Sequence, residues 1–206
     1  RRAFASAGHV AAVSQGAAAY ALSHGALRDR VDVVPNGVNP SRFPKAVPAE
    51  GAFTVGFLGT LKPWHDTATL IEAFALLRAD KIPDARLLIV GDGPDRARIE
   101  ARLDALGLGG AAHLTGAVPA SDVAAWLGRM HVAVAPYSAD QPFYFSPLKI
   151  YEYMAAGLPV LASRVGDLPD VLDHGSLGLL TDPDDPAAMA HALSQLANDP
   201  ALRARL

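Results

Sequence analysis

The amino-acid sequence predicts an α/β fold, a doubly wound parallel sheet of the Rossmann-like type. Short runs of Val, Leu and Ile without polar alternation recur along residues 53–181, and helical patterns separate them. Strands of this composition are typical of a parallel sheet covered by helices on both faces. The 206-residue chain is 50% hydrophobic, so one or two small domains with a substantial core are expected. Ligands of such folds bind beyond the carboxyl ends of the strands.

Composition argues against several classes of function. The net charge of −3 and the pI near 6.1 do not favour a nucleic-acid-binding surface. The chain has no cysteine, which excludes disulfides and thiolate metal sites and fits a reducing, cytoplasmic location. No apolar run approaches the roughly 20 residues that a membrane-spanning helix needs, and no signal-peptide pattern opens the sequence. The chain starts without Met, at Arg1, and we expect it to be a fragment.

Residues 1–43 form the first predicted unit. A strand is expected at residues 9–13, and Ser14 is a typical cap for the alanine-rich helix that follows it. A second strand is expected at residues 31–35, before the turn dipeptide Asn36-Gly37. The block SQGAAAYALSHGALRDRVDVVPNGVNPSRF resembles the segment of GT-B retaining glycosyltransferases that leads from the N-terminal into the C-terminal domain. The resemblance implies that residues 1–43 are the end of an N-terminal domain.

A Pro- and Ala-rich linker at residues 44–52 is predicted to lead into a larger domain, residues 53–206. Strand patterns and helix patterns alternate throughout this domain. The predicted strands are 54–59, 85–91, 111–116, 131–137, 160–163 and 178–181. The predicted helices are 67–79, 95–107, 121–128, 147–156, 165–173 and 185–198.

The most informative stretch is residues 143–160, FYFSPLKIYEYMAAGLPV. Ser146 is a strong N-cap type and Pro147 suits the first turn of a helix. The free N–H groups at such a helix start can bind phosphate, and the Glu152 carboxylate one turn later can accept two hydroxyl hydrogen bonds from a ribose. Together these features indicate a nucleotide-sugar site. An ordinary Ser-Pro helix start and a solvated glutamate would explain the same residues.

The segment SPLKIYEYMAAGLPVLAS resembles the donor-binding signature of retaining glycosyltransferases with the GT-B fold, in particular those of family 4. In that family two glutamates stand eight positions apart. Glu152 is the second of them, and Tyr144 occupies the position of the first, as in a subtype with FSPLK before the glutamate. The resemblance implies that Glu152 holds the ribose. It also implies that the diphosphate is surrounded, chiefly by backbone, by Phe145, Ser146, Leu148 and Lys149. Tyr144 and Pro147 are implied as further donor-binding residues.

The segment GTLKPWHD, residues 59–66, follows the first strand of the larger domain. The family commonly places an Arg and a Lys here, where this chain has Thr60 and His65. Lys62 is therefore expected to supply the positive charge, with His65 donating a hydrogen bond to the diphosphate and Gly59 allowing close backbone approach. The resemblance thus implies Lys62 and Glu152 as catalytic residues. A lysine in an exposed loop is the ordinary alternative for Lys62.

The same resemblance implies that two further segments lie near the nucleotide. The segment GDGPDR, residues 91–96, lacks the third glycine of a dinucleotide fingerprint, so that fingerprint fails. In the family this turn lies near the nucleotide, which nominates Gly91, Asp92 and Gly93. The segment LTGAV nominates the main chain of Val118 for contact with the base. A formal D-x-D at residues 182–184 precedes a helix and is explained by capping, so no metal site is expected.

The resemblance therefore implies the C-terminal, donor-binding half of a GT-B retaining glycosyltransferase. Such an enzyme transfers a hexose from a donor such as UDP- or GDP-hexose, with no metal or other cofactor. The expected partner is an N-terminal acceptor-binding domain, without which the chain should bind donor but not turn over. Any peripheral membrane association is expected through that domain, and no nucleic acid is expected. The alternatives are a non-catalytic nucleotide-binding or interaction domain, and a GT-B sugar-nucleotide epimerase.

Overall fold

The computed structural model of the chain describes residues 2–46, 51–140 and 146–206. Its N-terminal part is a two-stranded parallel sheet with a connecting helix. The Ser14 hydroxyl accepts a hydrogen bond of 3.0 Å from the Ala17 N–H, so the predicted cap is confirmed. The first helix was not predicted, because it is one turn long and has no capping signal. The elements are α1 (Arg2–Ser6), β1 (Val10–Ala12), α2 (Gln15–Ser23) and β2 (Val31–Val33).

The remainder of the chain forms a six-stranded sheet in the order β5-β4-β3-β6-β7-β8, in which every neighbouring pair is parallel. The prediction of a doubly wound parallel sheet is confirmed. All the strands lie within the predicted segments, and all except β7, whose bounds are as predicted, are shorter than predicted. They are β3 (Thr54–Leu58), β4 (Arg86–Val90), β5 (Ala112–Leu114), β6 (Val132–Ala135), β7 (Val160–Ser163) and β8 (Leu179–Thr181).

Helices connect these strands, and several begin with an acidic cap. Asp66 accepts a hydrogen bond from the Thr69 N–H, and Asp185 accepts one from the Ala188 N–H. Asp199 caps a last helix that was not predicted, although its Asp-Pro start repeats the start of the helix before it. The helices are α3 (Thr67–Asp80), α4 (Arg96–Ala105), α5 (Val123–Leu127), α6 (Leu148–Ala155), α7 (Leu168–Val171), α8 (Pro186–Asn198) and α9 (Pro200–Arg205).

Two hydrophobic clusters cover the two faces of the sheet. One cluster contains Phe57 and Leu70 and lies between one face of the sheet and the helices α3 and α8. The other contains Ile150 and Tyr153 of α6, which are fully buried. Because both faces are covered, the strands carry almost no polar residues, which is the pattern that identified them in the sequence.

The start of α6 differs from the prediction. The helix begins at Leu148, and Ser146 does not cap it: the Ser146 hydroxyl is buried and has no hydrogen-bond partner in the described part of the chain. Pro147 has φ −81° and ψ 63°, and the Leu148 N–H donates to the Ser146 carbonyl at 2.9 Å. This is an inverse γ-turn, so the residue before the proline lies outside the helix.

The connectivity places a crevice beside α6. The chain runs from β3 to β4 and β5 on one side, then returns to β6 on the other side of β3. In doubly wound sheets, ligands bind at the carboxyl ends of the two strands where the order reverses, here β3 and β6. Near the predicted linker, Phe43 and Ala46 are buried, and the Ala46 N–H donates to the Ala156 carbonyl at 2.7 Å. Within residues 2–46, 51–140 and 146–206, no helix is both long and apolar enough to span a membrane.

Candidate functional site

A cavity of about 360 Å³ opens at the carboxyl end of β3, against the start of α6. Its walls are the loop after β3, Tyr137 just beyond the end of β6, and the first two turns of α6. The cavity therefore lies at the crevice that the strand order predicts. The residues that line it are Leu58, Gly59, Thr60, Trp64, His65, Tyr137, Ser146, Leu148, Lys149 and Glu152.

Two ionisable side chains of α6 face this cavity together. Lys149 and Glu152 are three positions apart, so they lie on the same face of the helix. Lys149 is only 9% exposed, whereas Glu152 is half-buried. A cation near the helix start and a carboxylate one turn deeper can contact an anion and a pair of hydroxyl groups on one ligand.

The Lys149 ammonium is buried without a polar partner. Its Nζ makes no hydrogen bond among the described residues and lies 4.4 Å from the ring centroid of Phe57 and 5.2 Å from that of Tyr137. Burial lowers the pKa of Lys149 to about 7, and the nearby Glu152 carboxylate opposes this shift. Two aromatic faces stabilise a cation by much less than its lost hydration. An anionic ligand entering the cavity would therefore supply the missing partner.

His65 lies beside Lys149 and is held in one tautomer. Its Nδ1 lies 2.5 Å from the Thr60 carbonyl, and because a carbonyl only accepts, the proton must be on Nδ1. Burial, and secondarily the Lys149 charge, lower the pKa of His65 to about 4. The neutral ring then has an unprotonated Nε2, which accepts hydrogen bonds. In this state Nε2 can accept a hydrogen bond from a hydroxyl group. The predicted donation from His65 to the diphosphate needs a proton on Nε2, and it stays a prediction.

The Glu152 carboxylate has no ion-pair partner within 4 Å among the described residues. Burial raises its pKa, while the charges of Arg42 and Lys149 act in the opposite direction. A half-buried carboxylate with spare lone pairs is suited to accept hydrogen bonds from neutral donors such as hydroxyl groups.

The glycines of the loop after β4 support the cavity wall from behind. A Cβ on Gly91, whose φ is +129°, would lie 2.1 Å from the Gly59 carbonyl oxygen, and one on Gly93 would lie 2.6 Å from the Leu61 backbone. The Leu61 N–H donates to the Asp92 carbonyl at 3.0 Å. These residues seat the loop after β4 against the loop after β3 and do not line the cavity.

The structure brings together many of the predicted site residues. Those that line the cavity are Gly59, Thr60, His65, Ser146, Leu148, Lys149 and Glu152. Those that do not line it are Lys62, Gly91, Asp92, Gly93, Val118 and Pro147. Tyr144 and Phe145 lie outside the described residues. The Nζ of Lys62 lies 5.7 Å from the ring centroid of Trp64, and its role at the diphosphate stays a prediction.

Sequence reasoning missed three lining residues, Leu58, Trp64 and Tyr137. Tyr137 is the last residue of the predicted strand HVAVAPY. Its position at the carboxyl end of a strand, where ligands of such folds bind, was the available signal. Trp64 stands inside the loop segment GTLKPWHD, where it was not considered. Trp64 and Tyr137 are aromatic, and both rings lie about 6 Å from the His65 ring, at 6.0 Å and 5.7 Å between centroids. They shield the imidazole from water and contribute to its lowered pKa.

Two larger clefts lie elsewhere and lack this chemistry. One of about 610 Å³ lies at the opposite end of the sheet, near Gly157 and Arg203, and the Arg203 guanidinium already donates to the carbonyl groups at the end of α8. The other, of about 570 Å³, is an apolar groove beside Phe4 and Tyr20. In the described part of the chain, no group of three or more His, Asp, Glu or Cys side chains could hold a metal ion. Asp184 of the D-x-D segment instead accepts a hydrogen bond from the Ala139 N–H.

Comparison with known proteins gives one family. Residues 52–199 match the family model of glycosyl transferases group 1. A 2-deoxystreptamine glucosyltransferase of Streptomyces kanamyceticus is 32% identical over 189 residues, which is 86% of this chain and 48% of that protein. A D-inositol 3-phosphate glycosyltransferase of Pseudarthrobacter chlorophenolicus is 32% identical over 206 residues, 94% of this chain and 48% of that protein. The chain thus spans about half the length of the curated relatives it matches.

Solved structures of GT-B glycosyltransferases share the fold. HepE from Anabaena, in complex with UDP and glucose, has a TM-score of 0.84 at 23% identity, over 97% of this chain and 56% of that one. Sucrose-phosphate synthase of Thermosynechococcus elongatus has a TM-score of 0.83 at 27% identity, over 98% of this chain and 52% of that one. The C-terminal domain of a group 1 glycosyl transferase, LpcC of Francisella tularensis, has a TM-score of 0.68 at 21% identity. It covers 82% of this chain, which in turn spans 92% of that domain.

Proposed function

The chain belongs to the glycosyl transferases group 1 family, and on that premise we propose that it is the donor-binding half of a retaining hexosyltransferase. Its donor is a nucleoside diphosphate sugar, and the acceptor site belongs to a preceding N-terminal domain. The observation that carries this proposal is the pairing of Lys149 and Glu152 on one face of α6, both lining the cavity at the carboxyl end of β3. The first can bind the diphosphate and the second the ribose.

The electrostatics of the cavity fit the chemistry of glycosyl transfer. When the bond between the anomeric carbon and the diphosphate breaks, the leaving diphosphate keeps the electron pair and gains negative charge. The acceptor oxygen forms the new bond, and its proton passes to the leaving group or to solvent. A buried ammonium without a protein partner stabilises the developing charge with little reorganisation. Among the described residues that line the cavity, Lys149 carries the one ammonium group, and Lys62 is a second candidate from outside it.

Several further observations support a donor half of a larger enzyme. The curated relatives are about twice as long as this chain, and the C-terminal domain of LpcC has the same fold. The solved complexes of HepE with UDP and with UDP-glucose make a nucleoside diphosphate hexose the first donor class to test. The implied N-terminal partner, a cytoplasmic location and any membrane contact through that partner stay predictions. A nucleotide-binding interaction domain and a sugar-nucleotide epimerase are less favoured, because the named relatives are glycosyltransferases.

The test is calorimetric titration of the chain with UDP, GDP and ADP, alongside a transfer assay with the matching hexose donor. We expect saturable binding of one nucleotide and no transfer to simple acceptors, because the cavity lies at the edge of this domain and the acceptor needs a second wall. Sustained transfer by the chain alone would contradict the half-enzyme proposal. A folded sample that binds none of the three nucleotides would contradict the donor site itself.

Nucleotide binding is expected to weaken as pH rises through the neutral range. Lys149 binds the diphosphate in its charged form, and its pKa in the empty site is about 7. Binding is therefore strongest below that pH. Above it, each binding event must take up a proton, so affinity should fall toward about tenfold per pH unit. Titrations with UDP, or with the nucleotide that binds, from pH 7 to pH 9 measure the slope. An affinity independent of pH over this range would show that Lys149 is already charged or does not contact the ligand.

A further inference from the structure

The buried hydroxyl of Tyr153 lies where β3 and β6 separate. These two strands pair only at Val55 with Val132 and at Gly56 with Ala133, so the ladder ends before Leu58. The Tyr153 side chain fills the resulting gap. Its hydroxyl accepts a hydrogen bond of 2.8 Å from the Leu58 N–H and lies 3.4 Å from the carbonyl oxygens of Leu58 and Val134.

The Tyr153 hydroxyl supplies a buried partner to the Leu58 N–H and to one of the two carbonyl groups. Tyr153 is fully buried, and burial raises its pKa, so the hydroxyl keeps its proton and donates to one of the two carbonyl groups. The Leu58 N–H would otherwise be a buried donor without a partner, which costs about 1–3 kcal/mol. The hydroxyl therefore replaces the missing strand partner at the end of β3.

This contact joins the two walls of the cavity. Leu58 and Gly59 both line the cavity, and Tyr153 stands one residue after Glu152 and four after Lys149. In the part of the chain that the structure describes, no other hydrogen bond joins α6 to residues 58–66. This hydrogen bond therefore adds a directional constraint to the packing of α6 against β3.

We propose that Tyr153 is a positioning residue, whose hydroxyl holds Lys149 and Glu152 at a fixed distance from the loop after β3. The proposal rests on the proposed function, since the distance matters only if one ligand spans both groups. A donor that contacts the ammonium with its diphosphate and the carboxylate with its ribose requires both at once. A site that is ordered before binding avoids the cost of ordering these side chains during binding.

The test is Tyr153→Phe, which keeps the buried ring and removes only the hydroxyl. We expect the affinity for UDP, or for whichever nucleoside diphosphate the chain binds, to fall about tenfold at a temperature where the variant is folded. A matched control is Leu103→Ala on α4, which is buried in the other hydrophobic cluster. We expect Leu103→Ala to lower the free energy of unfolding by at least as much as Tyr153→Phe does, and to leave the affinity for the nucleotide unchanged.

A double variant separates positioning from simple destabilisation. In a Glu152→Gln background, one of the two groups that Tyr153 positions is already impaired, so Tyr153→Phe is expected to weaken binding by clearly less than tenfold. Equal affinity of the wild-type chain and Tyr153→Phe would overturn the positioning role while leaving the proposed function intact. A wild-type chain that binds no nucleoside diphosphate would overturn both.

A second measurement on the wild-type chain covers the case in which Tyr153→Phe does not fold. Saturating nucleotide is expected to slow hydrogen exchange of the Leu58 N–H at least tenfold, because the ligand holds together the walls that this bond joins. The Ile89 N–H in β4, which has a neighbouring strand on each side, is the reference amide, and its exchange is expected to change less. Exchange at Leu58 that does not respond to bound nucleotide would overturn the proposal.

Discussion

Lys149→Met is expected to weaken nucleotide binding strongly and to make the chain more stable. The ammonium is buried between Phe57 and Tyr137 with no hydrogen-bond partner among the described residues, so the empty site bears its desolvation without compensation. Methionine has a similar length and no charge. We expect the free energy of unfolding at pH 7 to rise by about 1 kcal/mol. We expect affinity for the nucleoside diphosphate to fall at least about 30-fold, since a buried charge partner is lost.

The stability gain has a characteristic pH dependence. Lys149 has a folded-state pKa of about 7 against an ordinary value of 10.5, so between these values the unfolded chain binds more protons than the folded chain. Wild-type stability therefore rises with pH in this window, and the advantage of Lys149→Met should shrink from pH 7 to pH 10. Chemical denaturation at a series of pH values measures this difference. A variant less stable than the wild-type chain at every pH would contradict it.

Two other lysines provide the comparison for binding. Lys81 lies at the end of α3, away from the cavity, and Lys81→Met is expected to leave affinity unchanged. Lys62→Met tests the sequence-based hypothesis that the loop after β3 supplies the charge. If Lys62→Met weakens binding more than Lys149→Met does, the loop and not α6 provides the main cation.

Most of the fold could be predicted because its signals are local. Strands buried on both faces are recognisable as unbroken apolar runs, and caps such as Ser14 and Asp185 mark helix starts within a few residues. The start of α6 was mistaken because Ser146-Pro147 fits both a cap and an inverse γ-turn, and only the ψ of Pro147 distinguishes them. The final helix was missed although Asp199-Pro200 carried the same signal as α8.

The location of the candidate cavity could be predicted from the sequence, but the burial and charge of its side chains could not. The carboxyl edge of the sheet and the two loop segments follow from the strand order, which the alternation of elements implies. The burial of Lys149 does not follow from it, because the rings that enclose the ammonium come from β3 and from the residues after β6. Lysine side chains are usually exposed, so the predicted contact of Lys149 with the diphosphate was assigned chiefly to its backbone. The neutral state of His65 depends on the same tertiary packing.

Glu152→Gln is expected to weaken binding of the nucleoside diphosphate by about 10- to 100-fold, because a charged acceptor for two hydroxyl donors is lost. The amide oxygen of glutamine still accepts a hydrogen bond, but it carries no charge and presents one oxygen in place of two. Glu100→Gln on α4 makes the same chemical change at an exposed ion pair with Arg96, and we expect affinity to be unchanged. Calorimetry on the three proteins measures these effects.

The choice of ligand then identifies which part of the nucleotide Glu152 contacts. Inorganic diphosphate has no ribose, so Glu152→Gln should change its affinity far less than Lys149→Met does. A 2′-deoxy nucleotide lacks one of the two hydroxyl donors and should bind the wild-type chain more weakly than the ribonucleotide. In Glu152→Gln this difference should largely disappear, because the deleted hydroxyl and the altered carboxylate belong to one interaction. If the variant still distinguishes the two nucleotides as the wild-type chain does, the carboxylate does not hold the ribose, and the ribose must lie elsewhere in the cavity.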